Sequence, residues 1–299
     1  MNAPIPVDES LLPPEPYYRP APRGLLNLNY RLLLLFVAAW CLVGYFSSGP
    51  TMGAVSNWGL GGLIGVLVLF FFYRTRKVRR WTAAAGDGAR RLSSGDIDGA
   101  ADVYEQLCIA SHNTPFRHLH AGFVYNRALA YMYAGKINRA LALTMAVLKS
   151  RWFEEERYGM FHYLPDVLEH AARCYALTGN LEKAEEYQQL AHKIVIPERE
   201  GRLLLLDLIV AARRAQYHVV LKEADERRAA GESSLLPSEI KAATLIRAFA
   251  LKLKTPDLSG AELEAALAPA RPFTAGQFDY LAGNWPEFRQ FLAAHGFVA

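Results

Sequence analysis

Met132–Leu141 reads M-Y-A-G-K-I-N-R-A-L, and Ala176–Glu185 reads A-L-T-G-N-L-E-K-A-E. In both, glycine separates two apolar runs of helical period, and alanine follows five residues later, Ala140 after Gly135 and Ala184 after Gly179. Leu92–Ala101, L-S-S-G-D-I-D-G-A-A, repeats the pattern with Gly95 and Ala100. A small residue precedes each glycine by seven positions: Gly88, Ala128 and Ala172. Tyr131 and Tyr175 stand four before the second and third glycines, and Tyr104 stands nine after the first.

That spacing describes a helical hairpin. Glycine admits the left-handed backbone with which many helices end. Small residues on either side let two antiparallel helices approach, and the tyrosines fill the wedge between successive hairpins. One hairpin cannot bury its own apolar face, so several must stack as a solenoid. The expected fold is all-α.

The order of small, aromatic, glycine and small positions resembles the tetratricopeptide repeat family, whose unit is about 34 residues of helix–turn–helix. The matching residues are Gly88, Gly95, Ala100 and Tyr104; Ala128, Tyr131, Gly135 and Ala140; and Ala172, Tyr175, Gly179 and Ala184, followed by Pro197. Arg91, Thr144 and Gln188 depart from the aromatic positions, and the glycines are 40 and 44 residues apart, which implies insertions. A degenerate fourth unit centres on Ala215, with Leu208 and Ala211 before it and Val220 and Ala224 after. The repeats are assigned to 81–231. Helices at Pro237–Lys254, Ser259–Leu267, Ala275–Leu281 and Pro286–His295 are expected in a C-terminal cap over 235–299, either extra repeats or a separate unit. The resemblance implies a concave groove lined by the first helix of each repeat, presenting Tyr125, Leu129, Met132, Glu169 and Arg173 to a protein or peptide partner. Ala85 and Ala89 stand where members that clamp a free carboxyl terminus carry Lys and Asn, so that ligand is not expected.

The chain has 299 residues, 52% hydrophobic and 21% charged, and the apolar surplus is local. Between Arg31 and Arg74 there are 42 residues without Asp, Glu, Lys or Arg. As one helix they would extend about 63 Å, twice a hydrocarbon core of ~30 Å. Ser47–Gly53, S-S-G-P-T-M-G, divides the run into expected transmembrane helices at 29–46 and 58–73, with a loop at 47–57. Arg19, Arg23 and Arg31 precede the first span, and the collar Arg74, Arg76, Lys77, Arg79 and Arg80 follows the second. By the positive-inside rule both termini and the repeat domain are cytoplasmic. The collar is expected to meet lipid headgroups of the bilayer or to act as a topology determinant alone. Gly61 and Gly65 permit close packing against the first span or a homo-oligomer.

Seven prolines, among them Pro4, Pro6 and Pro13, make 1–28 an extended tail, expected to be solvated or to serve as a docking peptide. The net charge of +4 resolves into zero over residues 1–73, +5 in the collar and −1 beyond, so no basic face exists for nucleic acid. Cys41, Cys108 and Cys174 are too dispersed for a disulfide framework or metal cluster. His112, His118, His120 and His162 lie in insertions without carboxylates at ligand spacing, so no metal and no cofactor is expected. No nucleophile elbow or phosphate loop occurs. Arg outnumbers Lys 24 to 9, a composition suited to a GC-rich bacterium and hence an inner membrane. The expected function is a membrane-anchored scaffold or adaptor. A membrane-complex assembly factor acting through its hairpin, and an enzyme with an unrecognised site near the histidines, stay open as alternatives.

Overall fold

Each repeat glycine ends a helix in the left-handed region, with φ of +88° at Gly95, +73° at Gly135 and +90° at Gly179. The same pair of backbone bonds closes each turn. Gly135 N–H donates to Met132 at 2.9 Å and Lys136 N–H to Tyr131 at 2.9 Å; Gly179 and Asn180 donate likewise to Ala176 at 3.1 Å and Tyr175 at 2.9 Å. This double closure satisfies carbonyls that a helix end otherwise leaves open. A fourth copy occurs at Ala215, where Ala215 and Gln216 donate to Ala212 and Ala211. Ala215 has φ +56°, the one non-glycine residue with positive φ among those described.

The computed structural model describes residues 5–18, 52–150 apart from 113 and 115, and 161–298. Among these residues there are helices and no strand. The hairpins are α1 (Met52–Ser94) with α2 (Ile97–Ser111), α3 (Arg117–Tyr133) with α4 (Ile137–Ser150), α5 (Leu164–Thr178) with α6 (Leu181–Ile194), and α7 (Leu204–Arg213) with α8 (Tyr217–Glu226). Asp96 and Asn180 cap α2 and α6 by accepting from Gly99 N–H and Lys183 N–H. Neighbouring helices pack in sequence order, giving a solenoid-like stack.

The repeat residues do what their spacing requires. Ala100, Ala128, Ala140, Ala172 and Ala184 are all fully buried, as is Tyr104. Gly88 is small because a Cβ there would lie 2.9 Å from the Tyr104 ring. Tyr104 OH donates to Ala85 O at 3.1 Å, so the wedge is also hydrogen-bonded. The fourth hairpin buries Leu208, Ala211, Val220 and Ala224 as expected.

The C-terminal part follows with α9 (Arg228–Ser234), α10 (Pro237–Lys254), α11 (Gly260–Leu267), α12 (Asp279–Ala282) and α13 (Pro286–Ala294). Ser259 and Glu262 form the expected capping box. The expected helix at 275–281 is reduced to the four residues of α12, because Gly276 takes φ +76° and turns the chain before it. α10 packs on α7 and α8, so the cap closes the stack.

The interspan loop and the free tail need correction. The interspan loop expected at 47–57 is helical from Met52 on, in one helix that contains the expected second span at 58–73 and runs through the collar into the first hairpin. After Pro50 no proline occurs until Pro115, so nothing interrupts the hydrogen-bond ladder; glycine weakens a helix without breaking it. The first expected span at 29–46 lies outside the described residues. Among the described residues no helix is long and apolar enough to cross a membrane.

The second correction concerns the proline-rich tail, which over 5–18 packs on the repeats instead of standing free of them. It forms two short 3-10 turns, Glu9–Leu11 and Pro16–Tyr18, and packs along α2, α4 and α6. Tyr187 donates to Pro6 O, Lys149 pairs with Glu9 at 2.8 Å, and Tyr17 donates to Glu105 at 3.3 Å. Tyr18 is buried at the end of the strap.

Candidate functional site

The first helices of the first three hairpins face a groove of about 620 Å³. Its walls are the second half of α1, the face of α3, Tyr163, and the start of α10; its floor is α5. Tyr125, Leu129, Glu169 and Arg173, four of the five residues expected to line a groove, meet there. Tyr125 and Leu129 are half-buried on the wall. Tyr125 also donates to Asp166 O at 3.2 Å across the third hairpin.

Met132 does not line this groove, for it is fully buried in the core. At about 100° per residue, Asn126, Leu129 and Tyr133 fan out on one side of Tyr125, while Met132 falls about 20° to the other. The groove therefore takes Asn126 and Tyr133 in place of Met132. Both follow from the i, i+4 stripe once Leu129 is its centre.

Glu169 and Arg173 are not exposed anchors: they are 4% and 3% accessible and belong to a buried charge cluster. Arg173 Nε donates to Glu169 at 2.7 Å and its NH1 to Glu239 at 2.8 Å. Glu239 also accepts from Tyr133 OH at 3.0 Å and Leu236 N–H at 3.1 Å. Nothing in the repeat pattern announces Glu239, because it arrives from the cap. Burial pushes Glu169 up to about 7. Burial acts on Glu239 in the same sense, but Arg173, Leu236 N–H and Tyr133 OH together hold it below the usual carboxylate range. Asp166 pairs with Arg202 at 3.0 Å and Arg199 at 3.7 Å.

The collar divides. Arg76, Arg79 and Arg80 are exposed, whereas Arg74 lies 4.7 Å from the Phe116 ring and Lys77 lies 5.0 Å from the Trp81 ring. Two of the five cations expected to face lipid are thus turned onto aromatic rings of the first two hairpins.

The histidines are separated in role. His120 is buried with Nδ1 2.9 Å from Ser111 Oγ, and burial lowers it to about 4. His112 lies beside it with ring centroids 5.8 Å apart. His162 is exposed, and the side chain of His118 falls outside the described residues. No group of three metal-ligating side chains occurs among the described residues.

No family model matches this chain, and neither does any curated protein or solved structure.

Proposed function

We propose that the chain is a membrane-anchored adaptor whose repeat domain, of tetratricopeptide kind, holds a segment of a partner protein in the groove between α1, α3, α5 and α10. The observation that carries this reading is the groove itself. It is large enough for several side chains, apolar along Tyr125, Leu129, Tyr133, Leu235 and Leu236, and lined by the helices that face inward. Tyr163 and Leu236 are each 45% exposed there, an arrangement suited to binding rather than to internal packing.

The membrane part rests on the 42 uncharged residues and on the strap. Residues 5–18 touch α2, α4 and α6, which supports a topology with the tail and the repeats on one side of the bilayer. The chain between Tyr18 and Trp81 then crosses a bilayer an even number of times, and the uncharged run has the length of two crossings. Arginines at both ends favour the cytoplasmic side of a bacterial inner membrane.

A photo-crosslinking amino acid distinguishes groove from surface. Leu236 in the groove and Leu253 outside it are equally exposed at 45%. A crosslinker at 236 is expected to capture a discrete partner in cells and one at 253 is not. Equal capture from both sites removes the groove from the function.

A further inference from the structure

In the groove three guanidiniums are shared unevenly among three carboxylates, and the shortfall falls on one residue. Asp166, Glu169 and Glu239 line the groove against Arg173 and Arg202. Asp166 has two guanidiniums, from Arg202 and Arg199. Glu169 and Glu239 share Arg173, and Glu239 has two further donors in Tyr133 and Leu236. Glu169 has Arg173 as its one hydrogen-bond donor among the described residues. A buried carboxylate with one shared donor is costly to ionise.

An incoming anion meets three carboxylates and finds Arg173 already engaged. An incoming cation supplies what Glu169 lacks. The walls suit a long basic side chain, since its methylene stem can lie on Tyr125 and Leu129 while its head reaches the floor. We propose that the segment held in the groove presents a lysine or arginine to Glu169, flanked by apolar residues that rest on Tyr125, Leu129 and Leu236. This inference depends on the groove being the binding site.

The test uses the full chain in lipid nanodiscs and a phage-displayed library of random peptides. Wild type is expected to enrich peptides with Lys or Arg among apolar residues, and replacing that residue by norleucine is expected to weaken binding about tenfold or more. Glu169→Gln keeps the shape of the floor and is expected to lose the basic preference while still selecting apolar peptides. Leu236→Arg is expected to abolish selection.

Enrichment without a basic preference, or a preference that persists in Glu169→Gln, overturns the assignment to Glu169 and leaves the groove standing. No enrichment, or enrichment indifferent to Leu236→Arg, overturns the groove reading as well. A second measurement does not need the variant to fold. The groups around Glu169 are Arg173, Asp166, Glu239, Tyr125 and Tyr280. Burial raises Asp166 as well, but Glu169 is the carboxyl pushed up to about 7, so an enriched basic peptide should displace its proton. Calorimetry near pH 7 in buffers of different ionisation enthalpy reads that release, and its absence overturns the inference.

Discussion

Arg173 and Glu239, 66 residues apart in sequence, meet at 2.8 Å and tie the third hairpin to the first turn of α10. The contact fixes how the cap closes on the groove. Arg173→Met leaves Glu169 and Glu239 buried without their shared cation, a loss of about 3–5 kcal/mol by the usual cost of breaking a buried pair. Adding Glu239→Gln should recover part of it. Urea unfolding of the single and double variants measures both.

Glu169 gives stability a pH dependence of a definite sign. Its carboxyl titrates at about 7 in the folded protein against an ordinary 4.5. Between these values the folded state holds a proton that the unfolded chain has lost, so stability falls as pH rises through the interval. The contribution is complete below the ordinary value and gone above the folded one. Glu239 is held low and works in the opposite sense, at more acid pH. Melting curves across this range should decline more gently for Glu169→Gln than for wild type; parallel curves rule the mechanism out.

The hairpin turns respond oppositely to two substitutions. Gly135 has φ +73° and open space around its Cα. Gly135→Val is therefore penalised by backbone conformation alone, at least about 1 kcal/mol and more for a β-branched side chain. Ala215 occupies the same conformation at φ +56°. Ala215→Gly should raise stability by roughly 0.5–1 kcal/mol, because the strain relieved exceeds the entropy lost to a freer unfolded chain. Thermal melts of the two variants should move in opposite directions.

The strap can be trapped. Glu9 and Lys149 form an ion pair across the junction of the tail and α4. With Cys41 replaced by Ser, the pair Glu9→Cys and Lys149→Cys should be joined within one chain by a short bismaleimide added to membranes. Cys108 and Cys174 are buried and should not compete. A failure to link, with each cysteine separately reactive, places the tail away from the repeats.

The hairpins were legible because helical period, a glycine at each turn and buried small residues are all local signals. Ala215 was legible as the centre of a unit through Leu208, Ala211, Val220 and Ala224. The strap was not, since its anchors at Ile5, Val7, Leu11 and Tyr18 follow no period in a proline-rich run. The groove residues of α3 come from the register that the repeat resemblance implies, and Met132 is out of phase with them by a small angle. The fate of Glu169 and Arg173 was not readable, for it depends on Glu239, which only tertiary closure brings near. The start of α1 at Met52 was obscured by glycines that read as a loop.

The continuity of α1 leaves the molecule without a swivel where the collar lies. From Tyr73 to Trp81 the backbone is one helix, and its far end carries Gly88 against Tyr104. Roll or tilt of the segment before Tyr73 is thus transmitted to the first hairpin as a shaft transmits torque. The compass bearing of the groove about that shaft is set by counting residues. One residue added to the collar turns everything downstream by about 100° and lifts it about 1.5 Å.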